Sequence, residues 1–301
     1  MRMQPPDRTG SWFETCLAWY FVSIWGSGFL ATKIGLMYAA PFTFLTLRFL
    51  LGIACLTPLV LLTRAAWPAT RRDFMHVVVA GVFMHVVHLG GSHYSQYLGI
   101  SAGIVAVLLT LQPVLTALFA ARWMNERLVP RQWLGIALGF GGVVLIVWHK
   151  IDMREITAGG LIAVGVSLTG ATVGTLYQRV FCPRVDLRSA GLIQFAVSIM
   201  LLAPLAWGVE GFAVQWTWQM LAAMAFLVIG ASILAVNALH TLMRRGEATR
   251  VSSLIYLTPI FAVVLEYAMF DVVPSAVSLA GIAVTCAGVA MVTGPRRVEG
   301  G

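Results

Sequence analysis

Ten apolar stretches punctuate the chain, each close to the ~20 residues that an α-helix needs to cross ~30 Å of hydrocarbon. They run near residues 12–34, 42–63, 74–94, 101–121, 131–149, 158–179, 188–209, 217–241, 248–270 and 275–294. The connections between them average roughly eight residues, too few for a catalytic or receptor domain outside the bilayer. A soluble domain of 301 residues would not carry 59% hydrophobic and only 11% charged residues. The expected fold class is therefore an all-α membrane protein of ten transmembrane helices, with the lipid bilayer as its solvent.

The formal net charge of +8 would suggest nucleic acid in a soluble protein, but its placement points elsewhere. With ten crossings both termini share one side. That side holds Arg2, Arg8, Arg64, Arg71, Arg72, Arg122, Arg127, Arg131, Arg179, Arg184, Arg188, Arg244, Arg245, Arg250, Arg296 and Arg297, against Lys33, Lys150 and Arg154 on the other. The bias predicts cytoplasmic termini, an inner-membrane location and no nucleic-acid partner. The first span runs past a signal-peptide length with no small-x-small cleavage site before Lys33, and is expected to remain in the chain. Cys16, Cys55, Cys182 and Cys286 do not form a disulfide framework and read as small packing residues.

The chain repeats itself. At a constant offset, Gln112-Pro113-Val114 matches Thr258-Pro259-Ile260, Gly135-Ile136-Ala137 matches Gly281-Ile282-Ala283, and Gly142-Val143 matches Gly288-Val289, while at a slightly different offset Gly26 falls on Gly170. Each repeat, 12–149 and 158–294, contains five spans. Because five is odd, the second half would enter the membrane from the opposite face, giving two inverted five-helix repeats. Duplication alone would simply enlarge a membrane domain, and shared Gly and Pro suit packed helices anyway. Inverted duplication with almost no extramembrane mass nevertheless favours a secondary transporter with its site near the midplane.

The residues also resemble a known family. Ser23-Ile24-Trp25-Gly26-Ser27-Gly28-Phe29, Leu47-Arg48-Phe49, Leu111-Gln112-Pro113-Val114, Asn125-Glu126-Arg127 and Gly141-Gly142-Val143 are similar to elements of the EamA-type ten-helix exporters of the drug/metabolite transporter superfamily. Leu257-Thr258-Pro259-Ile260 and Ala280-Gly281-Ile282 carry the likeness into the second half. The chain departs from the pattern at Phe270-Asp271-Val272, which retains one acidic residue, and in a sixth span without the family's tryptophan. The resemblance implies export of small metabolites, amino acids or drug-like compounds without ATP, with protons as a candidate driving force. It also implies fifth and tenth helices packed at the periphery.

Polar residues inside hydrocarbon usually face the bundle interior. His85, His88, Ser92 and Gln96 recur on one helical stripe of the third span, with His93 and Tyr94 beside them. Singly, a histidine there is as readily structural glue; as a stripe, they read as a substrate lining, and His85 or His88 as a site of proton coupling. The repeat sets Gly230, Ile233, Asn237 and Thr241 opposite them, with His240 adjacent. Trp25 and Tyr177 offer aromatic contacts in the first and sixth spans, and Gln112 and Tyr256 are further cavity candidates. Pro113 and Pro259 interrupt the fourth and ninth spans, either as paired hinges or as static kinks. Arg48 and Glu266 lie at similar depth, as an ion-paired outer gate or as separately snorkelling groups. Glu14 and Lys33 read as boundary residues.

The expected function is export of small metabolites, amino acids or related amphipathic compounds, across the inner membrane by alternating access. A sugar or nucleotide-sugar carrier is the alternative within transport, though only Arg48 would serve its phosphates. An intramembrane lipid-modifying enzyme using His85 and His88 would need a nearby carboxylate or metal set, and the third span supplies none. No Walker loop, His-Glu-x-x-His pair or nucleophile elbow is present, so no catalytic residue, metal or cofactor is assigned. Gly135, Gly139 and Gly142 on one face of the fifth span, or Gly170 and Gly174 on the sixth, would also suit a homodimer contact.

Overall fold

The computed structural model describes residues 8–123, 128–152, 156–234 and 257–293. In chain order the helices are α1 (Arg8–Leu36), α2 (Pro41–Thr63), α3 (Arg71–Tyr97), α4 (Ala102–Leu109 and Gln112–Trp123), α5 (Pro130–Asp152), α6 (Ala158–Phe181), α7 (Leu187–Gly208), α8 (Trp218–Ala225, continuing as Phe226–Leu234), α9 (Thr258–Phe270) and α10 (Ala276–Thr293). Seven of them, α2 to α7 and α10, are long and apolar enough to cross a membrane. The described parts of α8 and α9 are shorter. Among the described residues there is no β-strand, only an isolated antiparallel bridge between Ala39 and Val214.

The helix starts are set by local chemistry. Thr70, Ser101, Thr157, Asp186 and Thr217 each accept a backbone N–H of the following first turn, which would otherwise be unpaired. Helix α2 has Pro41 at its start and ends at Arg64 in the left-handed conformation (φ 48°). Large apolar side chains such as Leu61, Leu62, Trp148, Met200 and Trp207 remain exposed on the outside of the bundle. That surface would drive aggregation in water and is what a helix presents to lipid.

The packing pattern repeats when the two halves are exchanged. Helix α3 packs on α6 as α8 packs on α1; α4 packs on α6 as α9 packs on α1; and α2–α7, α4–α9 and α5–α10 pair across the halves. The tightest of these is α5 with α10, where a Cβ on Gly135 would fall 2.6 Å from the Gly288 carbonyl and one on Gly142 2.6 Å from that of Gly281. The glycine face of α5 is thus spent on α10 of the same chain, and Gly170 and Gly174 are likewise pressed against Val87 and Met84 of α3.

Two departures from regular helix shape the interior. Helices α3 and α8 each contain a π-helical stretch, Val82–Leu89 and Phe226–Leu234, at matching places in the two halves. Helix α4 is broken at Thr110–Leu111 rather than gently kinked: Thr110 ends the first segment and Gln112 begins the second. Pro113 therefore sits in the first turn of a new helical segment, where its missing N–H costs nothing, and Pro259 occupies the same place in α9.

Candidate functional site

The π stretch changes what the α3 stripe does. Spacings of three, four and seven residues share a face only at 3.6 residues per turn, and the wider π turns splay His85 and His88 toward different neighbours. His85 hydrogen-bonds through Nε2 to Gln194 Oε1 of α7 (3.1 Å) and stands edge-on to Phe49 and Phe195. His88 turns to α6: Ser167 Oγ donates to the His88 carbonyl (2.7 Å) and so accepts from Nδ1–H (2.9 Å), which sets the tautomer. Ser92 is buried. His93 is 2% exposed with no side-chain partner on either ring nitrogen, and both amide atoms of Gln96 and Nδ1 of His85 are buried without a partner. Such groups are rare inside folded proteins and mark places where a ligand or water completes the bonding.

Arg48 faces this layer from α2. One turn away along its helix are Phe44, Leu45 and Gly52, all buried, and Leu51, 36% exposed, so the half-buried Arg48 stands on the packed face near its lipid edge. Phe44 touches the His93 ring (5.9 Å between centroids) and Phe49 touches the His85 ring (5.4 Å), which sets Arg48 alongside α3 between the two imidazoles.

Glu266 is not joined to Arg48. Its carboxylate is 2% exposed and pairs with Lys33 Nζ (2.6 Å) while accepting Ala102 N–H (3.1 Å) and Gly103 N–H (2.9 Å) at the start of α4. A carboxylate at a helix N-terminus is favoured by the unpaired N–H groups there, and Lys33 also lies 4.3 Å over the Phe270 ring. This knot joins α1, α4 and α9 at the arginine-poor end of the bundle, so Lys33 is a structural partner rather than a boundary residue, and Glu266 does not snorkel. Beside it a cavity of about 340 Å³ is lined by Lys33, Gln96, Gly99, Ile100, Ser101, Ile104 and Val272. At the same end Glu210 accepts Phe42 N–H, Thr43 N–H and the Thr43 hydroxyl at the start of α2.

The remaining candidates are dispersed. Gln112 ties α4 to α6 by donating to Thr175 Oγ1 (2.8 Å) and, more weakly, to the Ala171 carbonyl (3.4 Å). Tyr177 Oη is 2.7 Å from His76 Nδ1, and with Phe181 they form an aromatic cluster at the arginine-rich end. Tyr94 is 39% exposed and stacked on Phe42, and is not among the cavity-lining residues. Trp25 is 43% exposed with its ring against Phe21. Asn237, Thr241, His240 and Tyr256 lie outside the described residues. Among the described residues no three His, Cys, Asp or Glu side chains gather as metal ligands.

Three participants were not singled out from the sequence. Gln194 and Ser167 are buried polar residues within apolar spans, a signal that was available, but one that names no partner. Lys33 sits close to a span end, where an aqueous neighbour is the ordinary expectation.

Comparison with known proteins identifies the family and the fold. An uncharacterized transporter of Bacillus subtilis, YvbV, is 27% identical over 268 residues, covering 88% of this chain and 84% of its own. A probable amino-acid metabolite efflux pump of Salmonella typhimurium is 23% identical over 282 residues, covering 90% and 92%. A solved crystal structure at 22% identity superposes with a TM-score of 0.63 over 93% of this chain and 96% of that one, which shows the shared fold. The sequence profile of the EamA-like transporter family matches twice, at residues 12–148 and 157–294. Two copies of one helical unit, packed alike on either side of a polar interior, account for the double match: the chain belongs to the EamA-like transporter family.

Proposed function

We propose that this protein exports small metabolites, amino acids or related amphipathic compounds, across the inner membrane by alternating access. The two halves, 12–149 and 158–294, are inverted repeats completing ten crossings, with both termini in the cytoplasm. The observation that carries the reading is the layer of Arg48, His85, His88 and His93 inside a duplicated bundle of a transporter family. Polar groups at such depth are costly to keep unless they serve a passing solute. The amino-acid class is supported by the name of one relative, the probable amino-acid metabolite efflux pump. In this reading Pro113 and Pro259 are paired hinges, and the Lys33–Glu266 knot closes the periplasmic end. Histidine is the side chain whose unperturbed pKa lies nearest neutral, so protons are the candidate coupling ion.

The test is efflux from liposomes holding the purified protein and a mixture of labelled amino acids, read by mass spectrometry with and without a pH gradient. Selective, protein-dependent loss of a few species is expected. Loss no faster than from protein-free liposomes across the whole panel would refute amino-acid export.

A further inference from the structure

Arg48 is a guanidinium on the packed face of α2, and the carboxylates in reach of α2 and α3 at that end of the bundle are engaged elsewhere. Glu210 caps the start of α2 and Glu266 holds Lys33 and the start of α4. The imidazoles of His93 and His85 lie against Phe44 and Phe49 on either side of Arg48, and His93 is buried with no side-chain partner on either ring nitrogen. Among the described residues this positive charge has no anionic partner, and the set is incomplete because a charge inside hydrocarbon is normally matched. We infer that the set is completed by the carboxylate of the transported solute, held by Arg48 with His93 as a second hydrogen-bond donor.

The chemistry of the walls agrees. A guanidinium presents parallel N–H groups that match a carboxylate's two oxygens. Gln96, one turn beyond His93 on α3, lines the 340 Å³ cavity, so that space lies a single helical turn from the site. The assignment rests on the transport reading and narrows it to carboxylate-bearing solutes, excluding plain organic cations and neutral sugars.

The experiment compares each amino acid with its carboxamide, which keeps the shape and removes the negative charge, in liposomes carrying the full chain and corrected for protein-free leakage. In the wild type, the amino acids that leave should do so at least about tenfold faster than their carboxamides, the loss expected when a hydrogen bond to a charged group is removed. Arg48→Gln should abolish most of that preference by slowing the amino acid, and Arg48→Lys, a point charge without the fork, should retain part of it. Equal fluxes of amino acid and carboxamide in the wild type overturn the carboxylate site while leaving the transporter reading intact, and that arm needs no variant to fold. An Arg48→Gln protein that folds and keeps the full preference also overturns it. Absence of any protein-dependent flux overturns both readings together.

Discussion

Lys33 and Glu266, 233 residues apart in sequence and in opposite halves, are joined by a 2.6 Å ion pair, and the same carboxylate caps the start of α4. One buried group therefore ties three helices at one end of the bundle. Removing one member of a buried pair leaves the other uncompensated and costs about 3–5 kcal/mol in fully buried cases. Lys33 is partly exposed, so the expected asymmetry is clear. Glu266→Gln should lower stability by about 2–4 kcal/mol and Lys33→Met by clearly less, as measured by thermal unfolding of the purified protein in detergent. Equal effects would argue that Glu266 does not also serve the α4 terminus.

The α5–α10 contact gives a sharper comparison within one helix. Gly142→Ala would push a methyl group into the Gly281 carbonyl and should cost about 1–3 kcal/mol as overpacking. Gly141→Ala, with nothing within 4 Å, should be neutral or slightly stabilising by helix propensity. Thermal unfolding of the two variants side by side checks this; a neutral Gly142→Ala would mean the helices sit further apart.

His85 depends on Gln194 for its one hydrogen bond. Gln194→Leu should strand Nε2 in a buried site and destabilise by about 1–3 kcal/mol, and Gln194→Glu should shift the pH dependence of transport by placing an acid against the imidazole. A pH profile of Gln194→Glu identical to that of the wild type would separate His85 from any proton coupling.

Outside the spans, Asp186 caps α7 and is hydrogen-bonded by the Arg188 guanidinium, which holds its carboxyl below the ordinary value of 3.8. A group whose folded pKa is depressed stabilises above its unfolded pKa and loses that contribution as pH falls through the folded value. Asp186→Ala should therefore lower the melting temperature more at pH 7 than in acid below pH ~3. A penalty independent of pH would assign Asp186 a packing role instead.

Much of the fold was legible because lipid imposes strong rules. Apolar runs of one length, arginines on alternate connections, and glycines repeated at a fixed offset each follow from elementary constraints, and the glycine pairs 135–288 and 142–281 meet as the repeat requires. The site was less legible for identifiable reasons. The stripe of His85, His88, Ser92 and Gln96 assumed a regular helix, and within the π stretch Val82–Leu89 His85 bonds to α7 and His88 to α6. The kink expected at Pro113 became a break one residue before Gln112, since Thr110 terminates the preceding segment. The partner of Glu266 was hidden because depth along a helix does not say which neighbour a side chain faces: Arg48 had a similar depth, and Lys33 had the right face.

The most direct test of alternating access is trans-stimulation. Liposomes holding the purified protein and one labelled amino acid identified as a substrate are placed in buffer with or without the same amino acid unlabelled. A carrier that must return through its empty state before the next exit should release label several-fold faster when unlabelled solute outside loads the return step, and release should saturate with internal concentration. Release that rises linearly with concentration and ignores the outside solute would mean a pore, and would contradict the account.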